Sequence, residues 1–256
     1  MQAASALAGR RIIVTRPEGQ ARALCEALAA RGATAECAPV MAIEAVPVSG
    51  ELARIVARLD DYALAFFVSA NAVRFGLEAV RAKRSWPASV AVATVGPGSQ
   101  RALEAAGFDP VIAPAEGFDS EAVLALPAFS PARVQGQGIV IFRGNGGRDL
   151  LGDTLVARGA TVDYAACYRR TLPAAGGERL LALAGSADAI VLTSSEGVGN
   201  LLAMLGGQLD RLLDIAAVCP HPRIAARARD LGFATVLETA PGDAGMIEGM
   251  EHYFQG

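Results

Sequence analysis

Three short polar runs interrupt the apolar segments of this chain: Ser69-Ala70-Asn71, Gly96-Pro97-Gly98-Ser99 and Thr193-Ser194-Ser195. Each closes an apolar, β-branched stretch and opens a segment with helical spacing. Hydroxyls and unpaired backbone N–H groups at a helix N-terminus suit carboxylates or phosphates. Serine and asparagine are also ordinary helix caps, so a single such loop carries little weight. Two arginines stand just after apolar runs, Arg16 (following Thr15) and Arg143, and either an anionic ligand or a nearby carboxylate would satisfy them. His221, in Cys219-Pro220-His221-Pro222, opens a predicted helix and could bind an anion. Tyr168, in Cys167-Tyr168-Arg169-Arg170, is a polar aromatic on an extended segment.

Other chemistries find less support. His221 and His252 are the only histidines, and the four cysteines show no C-x-x-C or Cys/His spacing. A zinc site, a His-rich metal centre and a disulfide framework are disfavoured, and a reducing cytoplasm is expected. The run Arg143-Gly144-Asn145-Gly146-Gly147-Arg148 looks like a phosphate cradle. It fits neither the dinucleotide nor the nucleoside-triphosphate loop, so a tight strand-to-helix turn competes with that reading. A net charge of −3 excludes a strongly basic nucleic-acid binder. No apolar run has the roughly 18 residues of a membrane span, and the start of the chain lacks the pattern of a signal peptide.

The elements that must position these residues alternate. Short apolar strands are expected at 12–15, 64–68, 90–95, 109–113, 138–142, 188–193, 215–218 and 234–237, with helices between them. Examples are the helices at 20–31, 71–83, 99–106, 147–158, 196–205, 222–231 and 243–250. Buried strands alternating with helices predict parallel sheets covered on both faces. Two longer extended segments, 34–48 and 161–172, stand apart.

The chain also repeats itself. Displaced by 127 positions, residues 11–44 fall on 138–171 without a gap, and Ile12, Arg16, Gly19, Leu24, Leu28, Ala30, Arg31, Gly32, Ala33, Thr34 and Ala38 recur. At a displacement of 125, 66–73 falls on 191–198, with Ser69 on Ser194, and 95–108 resembles 218–233. The order is A–B–A′–B′, so two domains of one kind are expected. The long extended segments lie at matching points and read as crossovers. They predict a discontinuous first domain (1–38 with 173–256), a second domain (47–165), and connectors at 39–46 and 166–172. Tyr168 sits on the returning connector, opposite Met41 in the repeat. The end, 253–256, reads as the remnant of a protease-recognition sequence and is set aside.

With these features in place, the chain resembles the uroporphyrinogen-III synthase family. The resemblance runs through Val14-Thr15-Arg16-Pro17, Phe67-Val68-Ser69-Ala70-Asn71-Ala72-Val73, Val95-Gly96-Pro97-Gly98, Phe118-Asp119-Ser120-Glu121, Arg143-Gly144, Tyr168-Arg169-Arg170 and Thr193-Ser194-Ser195-Glu196-Gly197. It implies two doubly wound α/β domains on a two-stranded connector, the first discontinuous. It implies a lyase that needs no cofactor or metal and acts as a cytoplasmic monomer. The reaction closes linear hydroxymethylbilane, with loss of water and inversion of ring D, to uroporphyrinogen III. The substrate carries eight carboxylates, which gives the strand-end loops a purpose. By resemblance, Tyr168 is the acid candidate, because a phenol with a reference pKa of roughly 10 can donate to the departing hydroxyl. Thr15, Arg16, Ser69, Ala70, Asn71, Gly96, Ser99, Arg143, Ser194, Ser195 and His221 are the substrate-binding candidates. His221 stands where the family carries a hydroxyl. A non-catalytic two-domain binder of a polycarboxylate is the alternative.

Overall fold

The computed structural model describes residues 5–146 and 149–256. Its strands in chain order are β1 (Arg11–Val14), β2 (Thr34–Cys37), β3 (Ala42–Ala45), β4 (Leu64–Phe67), β5 (Ala91–Thr94), β6 (Val111–Ile112), β7 (Gly138–Gly144), β8 (Thr161–Thr171), β9 (Ala189–Val191), β10 (Ala216–Cys219) and β11 (Val236–Glu238). Two compact units result. Unit 1 holds the chain up to Ile43 together with Thr171–Gly256, and unit 2 holds Glu44–Arg170. The fold is α/β with doubly wound parallel sheets, and unit 1 is discontinuous in sequence.

The sheet of unit 1 runs β2-β1-β9-β10-β11, with every pair parallel. Successive side chains of β1 enter opposite layers. Ile13 packs with Leu180, Ile190 and Leu201, whereas Ile12 and Val14 pack with Leu24, Leu28 and Met246. That is the period of two of a strand buried on both faces, and it explains the unbroken apolar run Ile12-Ile13-Val14.

The sheet of unit 2 runs β8-β7-β4-β5-β6, again parallel, with β3 beside β8 at the edge. One layer gathers Leu64, Phe66, Ile139, Ile141 and Phe129. On the other, Phe67 and Phe142 stack at 4.8 Å and lie so close to Gly76 that a Cβ there would meet Phe142 at 2.8 Å.

The duplication extends to strand register. Arg11 pairs with Thr34 and Gly138 with Thr161, both displaced by 127. Leu64 pairs with Ala91 and Ala189 with Ala216, both displaced by 125. The fold joins the copies crosswise: A pairs with B′ in unit 1, and B with A′ in unit 2. The helices after β1 and β7 end alike. Gly32 (φ +81°) and Gly159 (φ +88°) take the left-handed turn, and the next residue's N–H returns to Leu28 O and Leu155 O.

Several elements depart from expectation. The extended run 34–48 is interrupted between β2 and β3, at Pro39, which has no N–H for a ladder. The stretch after 126 forms short helical turns at Pro127–Phe129 and Pro131–Val134 that bury Phe129. The terminal helix covers Gly242–Gln255 rather than 243–250. Its last turn takes in residues 253–255, where Phe254 packs on the unit 1 core and carries the Arg10 guanidinium 4.5 Å above its ring.

Candidate functional site

β4 and β7 are neighbours from which the chain winds off in opposite directions, the position where doubly wound sheets bind ligands beyond their carboxyl ends. A cleft of about 610 Å³ opens there in unit 2, and Ser69, Phe118, Arg143, Tyr164 and Tyr168 are among the residues that line it.

Ser69 leaves β4 in extended conformation and caps the helix Ala70–Arg81, its Oγ accepting the Ala72 N–H at 3.1 Å. Ala70 and Asn71 are the first helical residues, whose N–H groups have no intrahelical acceptor. The same Ser69 Oγ lies 3.3 Å from Tyr168 Oη.

Tyr168 reaches this position through a bulge. β7 and β8 pair in step up to Arg143 with Ala166, and then Gly144 faces Tyr168, leaving Cys167 as the extra residue. A bulge of this kind re-aims the following side chain. The Tyr168 ring stacks on Phe75 at 5.9 Å and lies directly on Gly144, where a Cβ would stand 2.7 Å from it. The Asn145 N–H donates to Tyr168 O at 3.1 Å, and the Asn145 side-chain oxygen accepts the Arg170 N–H at 3.2 Å. The bulged Cys167 thiol is buried, and that burial pushes its pKa up to about 12.

Arg143 is held by three partners. Nη1 donates to Asp149 at 2.7 Å, Nε donates to Gly146 O at 3.3 Å, and the guanidinium stands 4.8 Å above the Tyr164 ring. Tyr164 lies on Gly152, where any side chain would collide with its hydroxyl. Burial raises the Tyr164 pKa, the Asp149 charge adds to that, and Arg143 opposes it. Gly147 and Arg148 of the glycine-rich run lie outside the described residues.

Two expected hydroxyl contacts are spent inside the protein. Ser99 is buried, its Oγ hydrogen-bonded to Thr94 Oγ1 at 2.6 Å with Gly96 O at 3.0 Å. Thr15 is buried and donates to Val191 O at 2.6 Å. Neither hydroxyl is offered to a ligand, because each satisfies a turn or strand end that burial would otherwise leave unpaired. Gly96 caps the helix Pro97–Ala105 and meets Phe118.

The remaining candidates belong to unit 1. Arg16 donates to Asp243 at 2.7 Å. Ser194 caps the helix Ser195–Leu205, accepting the Gly197 N–H at 2.9 Å, and the Ser195 Oγ is buried without a hydrogen-bond partner. His221 caps the helix Pro222–Leu231 through Nδ1, which accepts the Arg223 N–H at 3.0 Å. The structure thus gathers Ser69, Arg143 and Tyr168 in one cleft, with Ala70 and Asn71 at the start of the helix that Ser69 caps. It places Arg16, Ser194, Ser195 and His221 at strand ends of the other unit.

Sequence reasoning passed over Gly144, Gly152 and Tyr164 as site residues. The repeat held the signal. Gly152 and Tyr164 correspond to Cys25 and Cys37, so the helix–strand contact that one copy builds from a glycine and a ring falls on two cysteines in the other. Among the described residues no group of three or more His, Cys, Asp or Glu could hold a metal, and no helix is long and apolar enough to cross a membrane.

The family model for uroporphyrinogen-III synthase HemD matches residues 22–248. The chain belongs to the uroporphyrinogen-III synthase family. Among curated members, the Salmonella typhimurium enzyme named uroporphyrinogen-III synthase is 33% identical over 250 residues, covering 91% of this chain and 97% of that one. The Escherichia coli enzyme of the same name is 30% identical with the same coverage. Among solved structures, a uroporphyrinogen III synthase mutant from Thermus thermophilus aligns at a TM-score of 0.60 and 24% identity, over 96% of this chain and 99% of that one. The Helicobacter pylori enzyme aligns at 0.55 and 11% identity, over 93% and 97%. At these identities the two structures speak for the shared fold, and the family assignment rests on the sequences.

Proposed function

We propose that this family member performs the family's reaction in the cleft of unit 2, closing hydroxymethylbilane to uroporphyrinogen III with loss of water and inversion of ring D. The bond from the hydroxymethyl carbon to oxygen breaks, and the oxygen leaves as water with a proton from Tyr168. A new carbon–carbon bond forms at the substituted carbon of ring D, and the bond that joined this carbon to the ring C methylene breaks. That methylene then bonds to the free α carbon of ring D, and the proton lost from that carbon restores the Tyr168 phenol. The observation that carries this reading is the Tyr168 Oη beside Ser69 Oγ at 3.3 Å, at the carboxyl ends of β4 and β8.

Ring closure is largely intrinsic to the substrate, so the work of the protein is orientation. The N–H groups at Ala70 and Asn71, together with Arg143, attract substrate carboxylates. Arg16, Ser194, Ser195 and His221 provide the same chemistry at the strand ends of unit 1. Turnover needs no added metal or organic cofactor. The enzyme acts as a cytoplasmic monomer, a compartment that suits its four free cysteines.

The test is incubation of the purified protein with hydroxymethylbilane, followed by separation of the type I and type III isomers. Type III product is expected. A polycarboxylate binder without chemistry would leave only the type I isomer of spontaneous closure.

A further inference from the structure

Six large hydrophobic side chains are strongly exposed among the described residues: Phe118, Leu150, Val156, Leu172, Leu202 and Tyr253. Of these, only Phe118 lines the cleft, and it is also the most exposed, at 58%. Isolated exposed apolar residues are common and need no explanation. Phe118 differs in being held where it is. On one side Gly117 takes φ +69°, a left-handed turn that a side chain would strain. On the other, Asp119 caps the helix Ser120–Leu124, its carboxylate accepting the Ala122 N–H at 2.8 Å. Beneath it lies the bare backbone of Gly96, where a Cβ would stand 3.5 Å from the Phe118 Cβ. The ring is thus carried on a braced turn over the start of the helix Pro97–Ala105.

The rest of the cleft is built for charge and hydrogen bonds. Ser69, Arg143 and Asn145 line it. Of its apolar groups, Phe66, Ile141, Leu151 and Tyr168 are buried and Val68, Val95 and Tyr164 are half-buried, which leaves Phe118 as the one strongly exposed ring. A linear tetrapyrrole brings carboxylates, but it also brings flat, electron-rich ring faces that need an apolar partner. The positive edge of a phenyl ring suits such a face, and covering it removes water from both surfaces.

We propose that Phe118 is a substrate-binding residue that packs against a pyrrole ring at the mouth of the cleft and sets affinity rather than the rate of bond making. This rests on the functional reading above. Phe118 makes no hydrogen bond to the reacting centre and carries no proton, so its contact is equal in ground state and transition state. Interactions of that kind appear in KM and leave kcat alone.

The test compares wild type with Phe118→Ala, Phe118→Tyr and Phe118→Asp. Initial rates are measured over a range of hydroxymethylbilane concentrations, and uroporphyrinogen III is titrated against each protein by tyrosine and tryptophan fluorescence. Phe118→Ala should raise KM about tenfold, the scale of one lost aromatic contact, with kcat within twofold. Product affinity should weaken by a similar factor and the melting temperature should hold, because the ring is exposed. Phe118→Tyr should restore KM, and Phe118→Asp should be the weakest binder. Unchanged KM and product affinity in Phe118→Ala would overturn the proposal, as would a fall in kcat alone or a KM loss that tracks a lower melting temperature. A wild type that makes no type III isomer removes the functional reading instead. Product titration then still decides whether Phe118 binds a tetrapyrrole.

Discussion

Tyr168 and Gly144 occupy one space between them: the phenol ring lies where the glycine's side chain would be, with a Cβ only 2.7 Å from the ring. The β7–β8 bulge makes them partners, and Ser69 then meets the phenol at 3.3 Å. The orientation of the acid candidate therefore depends on a residue with no chemistry of its own.

Replacing Tyr168 by Phe keeps the ring on Gly144 and Phe75 and removes the hydroxyl. Formation of uroporphyrinogen III should slow, with residual activity, while the melting temperature stays nearly unchanged. General acid assistance is worth about 100- to 10,000-fold, and the low end or less is expected because the substrate loses water readily. The type I isomer should rise as spontaneous closure overtakes the enzyme. Full activity with an unchanged isomer ratio would remove the acid role.

Gly144→Ala should act through Tyr168. The added methyl forces the ring aside, at roughly 1–3 kcal/mol of stability for overpacking. Type III yield should fall as in Tyr168→Phe, and the double variant should lose little more. Additive losses would show that Gly144 matters only for packing.

Ser69 and Ser194 provide an internal control, since each caps a helix at the same place in the repeat. Either change to Ala should cost about 1 kcal/mol of stability, measured by urea unfolding. Ser69→Ala should also raise the type I fraction, because it removes the neighbour of Tyr168. Ser194→Ala should cost substrate binding about 1 kcal/mol or less. Equal isomer ratios in the two variants would show that the Ser69 hydroxyl serves only as a cap.

Tyr62 is buried and donates to Asp163 at 2.6 Å, and burial first, then that carboxylate, raises its pKa. The folded state therefore favours the protonated phenol. Its contribution is fully present below the unfolded value of roughly 10 and is lost as pH rises above it, where the unfolded chain ionises first. Unfolding free energies measured at about pH 8 and pH 11, either side of that value, should show the decline. Tyr62→Phe should flatten the Tyr62 part of it while costing about 1–3 kcal/mol at the lower pH by leaving Asp163 unpartnered. An unaltered alkaline slope in Tyr62→Phe would place the ionising group elsewhere.

Much of this architecture was legible in the residues. Strand–helix alternation follows from short β-branched runs such as Ile12-Ile13-Val14 and from glycines such as Gly32 and Gly159 that end the helices, because those preferences act within a few residues. The repeat announced two domains of one kind, and the cap serines Ser69 and Ser194 could be placed by their position after a strand. The resemblance pointed to Tyr168. Local chemistry was enough for the strands, the helix ends and the caps.

Other features depend on strand partners far apart in sequence. The two units match in register because A joins B′ and B joins A′, which for β1 and β9 pairs Ile12 with Ala189. The Cys167 bulge exists only against Arg143 and Gly144, so the direction in which Tyr168 points could not be read from its own neighbours. Ser99 and Thr15 carry the same hydroxyl chemistry as Ser69, yet tertiary packing turned theirs toward Thr94 and Val191. Which polar group meets a ligand and which is spent on the fold is decided by what burial leaves unpaired, and burial is set by the whole sheet rather than by the adjoining residues.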